Sequence, residues 1–356
     1  MTGRVVVGMS GGVDSCVAAA LLHEQGYEVI GITMRLWTLE HPDAAPGRQH
    51  CCSVEDADDA REVAAALGFP YYLQNFEREF NARVVDYFVE EYQRGRTPNP
   101  CLACNEHIKF RSLLQRALAL GADYLATGHY ARRTEQDGFH SLRRALDVEK
   151  DQSYVLYTLG QAELARVLFP LGEYTKAEVR AIARRLQLPV ADKPDSEEIC
   201  FVPDNNYRNF LRERIEAPAG EMVDSSGQVI GSHEGIVDYT VGQRRGLGAF
   251  GDRRYVIELQ PMQNRVVVGS QAELFSNSLI AERVHYVQGV APSPGTPLEV
   301  KIRYKSVPSP AVIYPTPDGA ELRFEQPQRA ITPGQAVVFY DGDAVVGGGI
   351  IAHVNR

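Results

Sequence analysis

Long hydrophobic runs are missing from this 356-residue sequence. No stretch approaches the roughly 18 consecutive apolar residues that a membrane-spanning helix requires, so we expect no membrane partner. The first residues lead into a short apolar strand and a glycine-rich turn rather than into the apolar core of a signal peptide. These absences predict a cytoplasmic protein.

Cysteine is also scarce, with six residues in the whole chain. That number is too small for a disulfide framework, and we expect thiols in a reducing compartment. Cys16 lies in the apolar helical run "CVAAALL", where a buried structural role and a chemical one are equally compatible with the pattern. Cys51 and Cys52 precede another helix and stay unassigned, although the pattern favours a structural role.

The net charge of −9 argues mildly against a nucleic-acid partner, but the charge is unevenly spread. Residues 1–100 carry 15 acidic and 8 basic side chains, whereas residues 206–305 carry 11 acidic and 12 basic ones. The second region contains the pairs Arg244–Arg245 and Arg253–Arg254. Two interpretations stay open for these bases: a solvated surface, or a local face that binds a polyanion.

The pattern of predicted secondary structure differs between the two parts of the chain. Up to about residue 190, apolar strands alternate with helices that end on glycine, which predicts an α/β, doubly wound parallel sheet with helices on both faces. After about residue 217, short alternating runs separated by Gly, Pro and Asp predict a small mainly-β module and then a C-terminal β-barrel. We place the domains at 1–205, 206–276 and 277–356.

The segment "VVVGMSGGVDS" joins the first strand to the first helix. Glycines allow the backbone to wrap around a phosphate, while loop N–H groups and the helix N-terminus attract negative charge. Asp14, an acid in such a loop, suits a Mg²⁺ ligand or a residue that orients the loop. The lysine of the common P-loop is absent. The loop instead resembles the SGGxDS motif of the ATP pyrophosphatase (PP-loop) superfamily, whose members adenylate an oxygen of their substrate.

Three cysteines remain as chemical candidates. Cys101 and Cys104 lie just before the predicted helix "NEHIKFRSLLQRALALG", where helix dipoles would favour a thiolate, and Cys200 lies far along the chain. A zinc knuckle lacks a fourth ligand. Two alternatives stay open: dithiol chemistry in which Cys200 carries a sulfane sulfur and Cys104 attacks or resolves it, or a [4Fe–4S] cluster held by all three.

Several motifs together resemble one family, the bacterial tRNA-specific 2-thiouridylases (MnmA). They are "GMSGGVDS", "GRTPNPCLACNEHIKF", "ATGHYAR", "KDQSYVLY", "KPDSEEICFV", "DYTVGQRRGLG", "IRYK" and "TPGQAVVFYDGD". The resemblance implies ATP-dependent replacement of O2 by sulfur on the wobble uridine of tRNA, with ATP and Mg²⁺ as cofactors. It also implies a sulfur-donating partner protein, either a cysteine desulfurase or a relay protein, and tRNA binding by the central domain.

The resemblance also implies roles for individual residues. Cys104 would be the nucleophile and Cys200 the persulfide carrier, and the two could pair as a disulfide. The ATP-binding residues would be Gly8, Met9, Ser10, Gly11, Gly12, Val13, Asp14, Ser15, Met34 and Gly128. The tRNA-binding residues would be Asn99, Pro100, Cys101, His129, Lys150, Asp151, Gln152, Arg303, Tyr304 and Gln335.

The sequence departs from the family pattern at Cys101, where many members have Asp. The role of that carboxylate therefore does not transfer, and the cluster hypothesis depends on this position. The competing function is another PP-loop enzyme that delivers nitrogen, such as an amide-forming synthetase or a tRNA lysidine synthetase. Such enzymes have no need for the three cysteines.

Overall fold

A run of valines forms the first strand, β1 (Arg4–Gly8), in which Val5, Val6 and Val7 are fully buried. The computed structural model describes residues 2–37, 54–195, 199–202, 206–248 and 253–355. Cys51 and Cys52 lie outside these ranges.

A strand buried on both faces, such as β1, is typical of a parallel sheet covered by helices. With labels in chain order, the parallel strands pair as β3-β2-β1-β4-β7, formed by β2 (Glu28–Arg35), β3 (Tyr71–Asn75), β4 (Tyr124–Thr127) and β7 (Val167–Leu168).

Helices cover both faces of this sheet. They are α1 (Val13–Glu24), α2 (Val54–Leu67), α3 (Glu77–Phe80), α4 (Asp86–Gln93), α5 (Pro100–Ala103), α6 (Leu114–Ala119), α7 (Gln161–Leu164) and α8 (Lys176–Arg185). π-helical segments at Asn81–Val85 and Cys104–Leu113 connect α3 to α4 and α5 to α6. Val6 packs in one core with Leu113, whereas Val5 and Val7 pack in a second core with α1. The predicted doubly wound sheet is confirmed.

A smaller sheet follows α9 (Tyr207–Arg212). Its strands β8 (Gly220–Val223), β9 (Val229–His233), β10 (Tyr255–Gln260) and β11 (Arg265–Gly269) pair in the order β10-β11-β8-β9. This is the predicted mainly-β module. Within the described ranges, every helix is too short or too polar to cross a bilayer.

The C-terminal strands close into a barrel, as predicted. They are β12 (Phe275–Tyr286), β13 (Thr296–Lys301), β14 (Ser309–Thr316), β15 (Gly319–Arg329), β16 (Ala336–Asp341) and β17 (Ala344–Asn355). They pair in the order β12-β15-β14-β13-β16-β17, and β17 returns to β12. Closure leaves no open edge in the ring.

One hairpin joins the first and last parts of the chain, which the sequence did not predict. Its strands, β5 (Ala131–Gln136) and β6 (Phe139–Arg144), extend the barrel sheet where Arg143 pairs with Ala344. Arg132 and Arg143 both donate hydrogen bonds to the Asp343 carboxylate. The Arg144 guanidinium lies 4.1 Å from the centre of the Tyr340 ring, a cation–π contact.

Candidate active site

The glycine loop between β1 and α1 is shaped by its own serines. The Ser15 hydroxyl accepts a hydrogen bond from the Ser10 N–H (3.0 Å) and donates one to the Gly12 carbonyl (3.1 Å). Gly11 has a φ of +69°, and a Cβ on it would lie 2.0 Å from the Asp56 carbonyl oxygen. Residue 11 must therefore be glycine for both conformation and space.

The ends of three parallel strands meet at this loop. β4 ends at Thr127, and a Cβ on Gly128 would lie only 2.6 Å from the backbone nitrogen of Ser15. Met9 donates its N–H to the Ile32 carbonyl (2.9 Å), which ties the loop to β2, the strand that carries the buried Met34. The structure thus gathers the predicted ATP-binding residues at the carboxyl edge of the sheet, where such folds bind ligands.

Asp14 is the acid at the centre of an ion-pair network. Its carboxylate accepts hydrogen bonds from the Lys176 ammonium at 2.7 and 2.8 Å and from the Tyr130 hydroxyl at 2.8 Å. Lys176 also pairs with Asp195 (2.8 Å), which in turn pairs with Lys150 (2.9 Å). A cation that the glycine loop itself lacks therefore reaches the loop from the first turn of α8.

Asp195 is held ionised by this network. Burial alone would raise the pKa of Asp195, but hydrogen bonds from Lys150 and Lys176 outweigh that effect and bring the pKa down to about 2. The hydrogen bond that Lys150 donates to the Asp195 carboxylate raises the pKa of Lys150. Asp195 and Lys150 therefore form a charged pair near neutral pH.

His129 follows Gly128 but points into the protein. It is 7% exposed, its Nδ1 lies 2.8 Å from the Thr127 hydroxyl, and its ring packs against Phe110 and Phe169. Burial, together with the charge of Lys109, holds the pKa of His129 well below its usual value. The ring is neutral and does not reach the surface in this conformation, so its predicted contact with tRNA stays a prediction.

The helix that carries Cys101 and Cys104 begins earlier than the sequence analysis expected. Asn99 caps it by accepting the Cys101 N–H (3.0 Å), and Pro100 occupies its first turn. The expectation that both cysteines precede the helix is wrong, because the Asn-Pro pair starts it at residue 100. Cys101 lies in the first turn and is exposed, whereas Cys104 lies one turn later and is buried.

Cys104 opens the π-helical segment Cys104–Leu113. π-helical turns are rare and concentrate at functional sites. The far end of the segment packs against the end of β1, since a Cβ on Gly8 would lie 3.3 Å from the Leu113 side chain. The structure therefore brings the helix of Cys104 against the end of β1.

Cys200 lies beside the core that contains Cys104. It is partly buried and packs against that core, and its neighbour Phe201 makes edge contacts with Phe80 and Phe88. The pairing of Cys104 with Cys200 as a disulfide stays a prediction. The burial of Cys16, fully enclosed in α1, raises the pKa of its thiol to about 12, which suits a structural role.

The three candidate ligands of an iron–sulfur cluster do not fit one. All three cysteines are described, yet the described residues contain no group of three or more Cys, His, Asp or Glu side chains that could hold a metal ion. A [4Fe–4S] cluster requires its thiolates around a single centre. We therefore derive no chemistry through a cluster.

Two of the three residues of the "KDQ" motif are used within the protein. The buried Asp151 accepts hydrogen bonds from the Ala145 N–H (3.0 Å) and from the Ser153 hydroxyl (2.8 Å). Gln152 accepts the Tyr130 N–H (2.9 Å). The third, Lys150, is 40% exposed and lies at the outer end of the ion-pair network.

The predicted contacts from the barrel border the Cys101 helix. Gln335 donates to the Thr97 carbonyl (2.7 Å), just before the Asn99 cap. Tyr304 packs on Tyr154 with ring centres 6.0 Å apart, and burial raises the pKa of Tyr304 to about 12. Arg303 donates to the Arg329 carbonyl (2.7 Å). The barrel thus lies beside the helix of Cys101 and holds the loop before it.

Sequence reasoning missed Lys176, Lys193 and Asp195. Lys193 donates to the Gly11 carbonyl (3.1 Å) and pairs with Asp56 (2.6 Å). The signal was present, because Lys193 and Asp195 belong to the "KPDSEEICFV" motif that carries Cys200. Only the Cys in that motif was given a chemical role.

Comparisons with known proteins identify the family of nearly the whole chain. Three family models match the chain: a tRNA methyl transferase HUP domain over residues 3–204, a tRNA methyl transferase PRC-barrel domain over 208–270, and an aminomethyltransferase β-barrel domain over 276–351. The tRNA-specific 2-thiouridylase MnmA of Carboxydothermus hydrogenoformans is 52% identical over 98% of this chain and 97% of the relative. The chain belongs to the MnmA family. The MnmA of Desulforamulus reducens is also 52% identical, over 98% of this chain and 96% of its own length.

Solved structures outside the MnmA family show partial likeness. A 4-thiouridine synthetase in complex with RNA and ATP has a TM-score of 0.36 at 18% identity, covering 59% of this chain and 50% of that one. An NMN synthetase from Francisella tularensis has a TM-score of 0.34 at 20% identity, covering 55% of this chain and 66% of that one.

Proposed function

We propose that this protein converts the wobble uridine of tRNA to 2-thiouridine in an ATP-dependent reaction. The relatives named tRNA-specific 2-thiouridylase match it at about half identity over nearly the whole chain. The observation that carries the proposal is one helical segment that Cys104 opens and whose other end, at Leu113, packs against Gly8 at the end of β1. This arrangement suits one site that both activates an oxygen and presents sulfur.

The first step activates the base. Residues 8–15, Met34 and Gly128 would hold ATP, with its phosphates at the N-terminus of α1, which attracts negative charge. Mg²⁺ is usually held by one or two carboxylates together with substrate phosphates, and Asp14 provides such a carboxylate. The uridine O2 attacks the α-phosphorus, pyrophosphate leaves, and O2 becomes part of an AMP leaving group.

The second step replaces that oxygen. The terminal sulfur of a Cys200 persulfide attacks C2 of the adenylated uridine. The Cys104 thiolate then attacks the Cys200 Sγ, so the S–S bond breaks, AMP leaves with the former O2, and C2 keeps the new sulfur. The two cysteines end as a disulfide, which a thiol reductant must reduce. A sulfur-donating protein, a cysteine desulfurase or a relay protein, then recharges Cys200.

The β-rich part of the chain is proposed to bind the tRNA. Residues 206–276 and the barrel 277–356 would grip the backbone while residues 1–205 perform the chemistry. Chemistry on one base requires that base to leave its stack, and the cost is small in a single-stranded anticodon loop. Asn99, Pro100 and Cys101 would border the base, with Lys150, Arg303 and Tyr304 nearby.

The competing reaction is nitrogen transfer by the same kind of loop, and two half-reactions separate the possibilities. We expect Cys104→Ser and Cys200→Ser to release pyrophosphate from ATP in the presence of tRNA but to form no 2-thiouridine. Asp14→Asn should lose both activities, because it acts in the first step. A cysteine variant that still modifies tRNA would favour nitrogen transfer instead.

A further inference from the structure

Four charged side chains form an alternating line between two predicted binding sites. Lys150, a predicted tRNA contact, pairs with Asp195 (2.9 Å). Asp195 pairs with Lys176 (2.8 Å), and Lys176 pairs with Asp14 of the nucleotide loop (2.7 Å). The line thus joins the outer surface at Lys150 to the carboxylate that would hold Mg²⁺.

The inner members of this line are shielded from solvent. The side chain of Lys176 is 13% exposed and that of Asp195 is 29% exposed, whereas Lys150 is 40% exposed. Charge pairs that are partly buried are screened less by salt than pairs at the surface. Loss of the Lys150–Asp195 pair therefore alters the electrostatic interaction between Asp195 and Lys176.

Asp195 is shared between competing cations. Besides the two lysines, it accepts a hydrogen bond from Arg180 (3.2 Å), whose guanidinium also holds the Ala191 and Lys193 carbonyls. Lys176 is likewise shared between two carboxylates, those of Asp14 and Asp195. If Lys150 leaves Asp195, Lys176 becomes its main mobile partner and shifts away from Asp14.

We propose that Asp195 is a positioning residue that couples tRNA binding at Lys150 to Mg²⁺–ATP binding at Asp14. The inference rests on the proposed function and adds a residue to which that function assigns no role. A tRNA phosphate draws Lys150 from Asp195, Asp195 then draws Lys176 from Asp14, and the Asp14 carboxylate becomes available to the metal. The enzyme thereby binds its nucleotide tightly only once tRNA is in place.

The test measures the dissociation constant of Mg²⁺ and a non-hydrolysable ATP analogue, with the full chain, in the absence and presence of saturating unmodified tRNA. In the wild type, tRNA should tighten analogue binding by about 5-fold or more, the usual lower range of coupling between sites. By the same linkage, the analogue should tighten tRNA binding by an equal factor. In Asp195→Asn, both factors should fall to near one, and Asp195→Glu should restore part of them.

The two ends of the line give opposite expectations, which a merely structural role would not. Asp195→Asn leaves Lys176 on Asp14, so the analogue should bind more weakly without tRNA. Lys150→Met releases Asp195 to Lys176, so the analogue should bind more tightly without tRNA, and added tRNA should have little further effect. Asp192→Asn, three residues before Asp195, is the matched control, because it removes only the exposed ion pair of Asp192 with Arg184.

Three results would overturn the inference: a wild type that binds the analogue equally with and without tRNA, an Asp195→Asn variant with unchanged coupling, or a Lys150→Met variant that binds the analogue more weakly. If any of these occurs while the wild type still forms 2-thiouridine, the coupling is wrong and the proposed function stands. If tRNA tightens analogue binding but no 2-thiouridine forms, the proposed function fails instead.

Discussion

Adjacent glycines in the nucleotide loop offer a matched pair of substitutions. In Gly11→Ala, the new Cβ would lie 2.0 Å from the Asp56 carbonyl oxygen, at a φ of +69°. In Gly12→Ala, the nearest atom would be the Ser10 hydroxyl oxygen at 3.6 Å, and φ is an ordinary −88°. The same atom is added one residue apart, so the two variants separate backbone fit from side-chain size.

The expected magnitude follows from two costs and one gain. The left-handed conformation costs alanine about 1 kcal/mol or more. The overlap with α2 forces a backbone shift that costs about 1–3 kcal/mol. Alanine also reduces the conformational entropy of the unfolded chain, which stabilises the folded state by about 0.4–1 kcal/mol. Gly11→Ala should therefore lower the free energy of unfolding by about 2 kcal/mol, and Gly12→Ala by about 0.5 kcal/mol or less.

The single tryptophan of the chain makes this measurable. Trp37 packs on Phe201 and Phe210, so its fluorescence reports unfolding of the amino-terminal part during denaturant titration. Analogue binding measured in parallel should fall strongly in Gly11→Ala, because small displacements at such sites have large effects. Equal stability of the two variants would refute the close packing of the loop on α2.

Three further predictions follow from the described contacts. Asn99→Ala should lower the free energy of unfolding by about 1 kcal/mol through loss of the cap on the Cys101 N–H, whereas Asn99→Ser should not; denaturant titration distinguishes them. Because burial holds the pKa of His129 well below its usual 6.5, the unfolded chain alone gains a proton there as the pH falls below about 6.5. Stability should then fall by up to about 1.4 kcal/mol per pH unit from this residue, and His129→Gln should lack that part of the dependence in denaturant titrations at several pH values. Anaerobically purified protein assayed for iron and sulfide should contain neither and still thiolate tRNA, and Cys101→Asp should remain active; iron-dependent activity would contradict both expectations.

Local patterns predicted those parts of the molecule that local physics determines. The valines of β1, the glycines of the loop and the alternation of strands with helices each favour the observed element independently of distant contacts. The helix start at Pro100 also has a local signal, because Asn followed by Pro favours a cap and the first turn of a helix.

Contacts between distant residues could not be predicted in this way. Lys176 meets Asp14 across 162 residues of sequence, and nothing in the periodicity of either helix indicates that pairing. The docking of the β5–β6 hairpin on the barrel depends similarly on Arg143 and Asp343, 200 residues apart. The burial of His129 depends on Phe110 and Phe169 from other elements. Such facts follow from the packed structure alone.

The proposed reaction places sulfur on C2 of the wobble uridine. The most direct measurement is nucleoside mass spectrometry of unmodified tRNA incubated with the protein, Mg²⁺, ATP and a persulfide source. We expect 2-thiouridine at the wobble position, formed only with ATP and only when Cys104 and Cys200 are both present. Wobble uridine that stays unchanged under these conditions, or that gains nitrogen rather than sulfur, would contradict it.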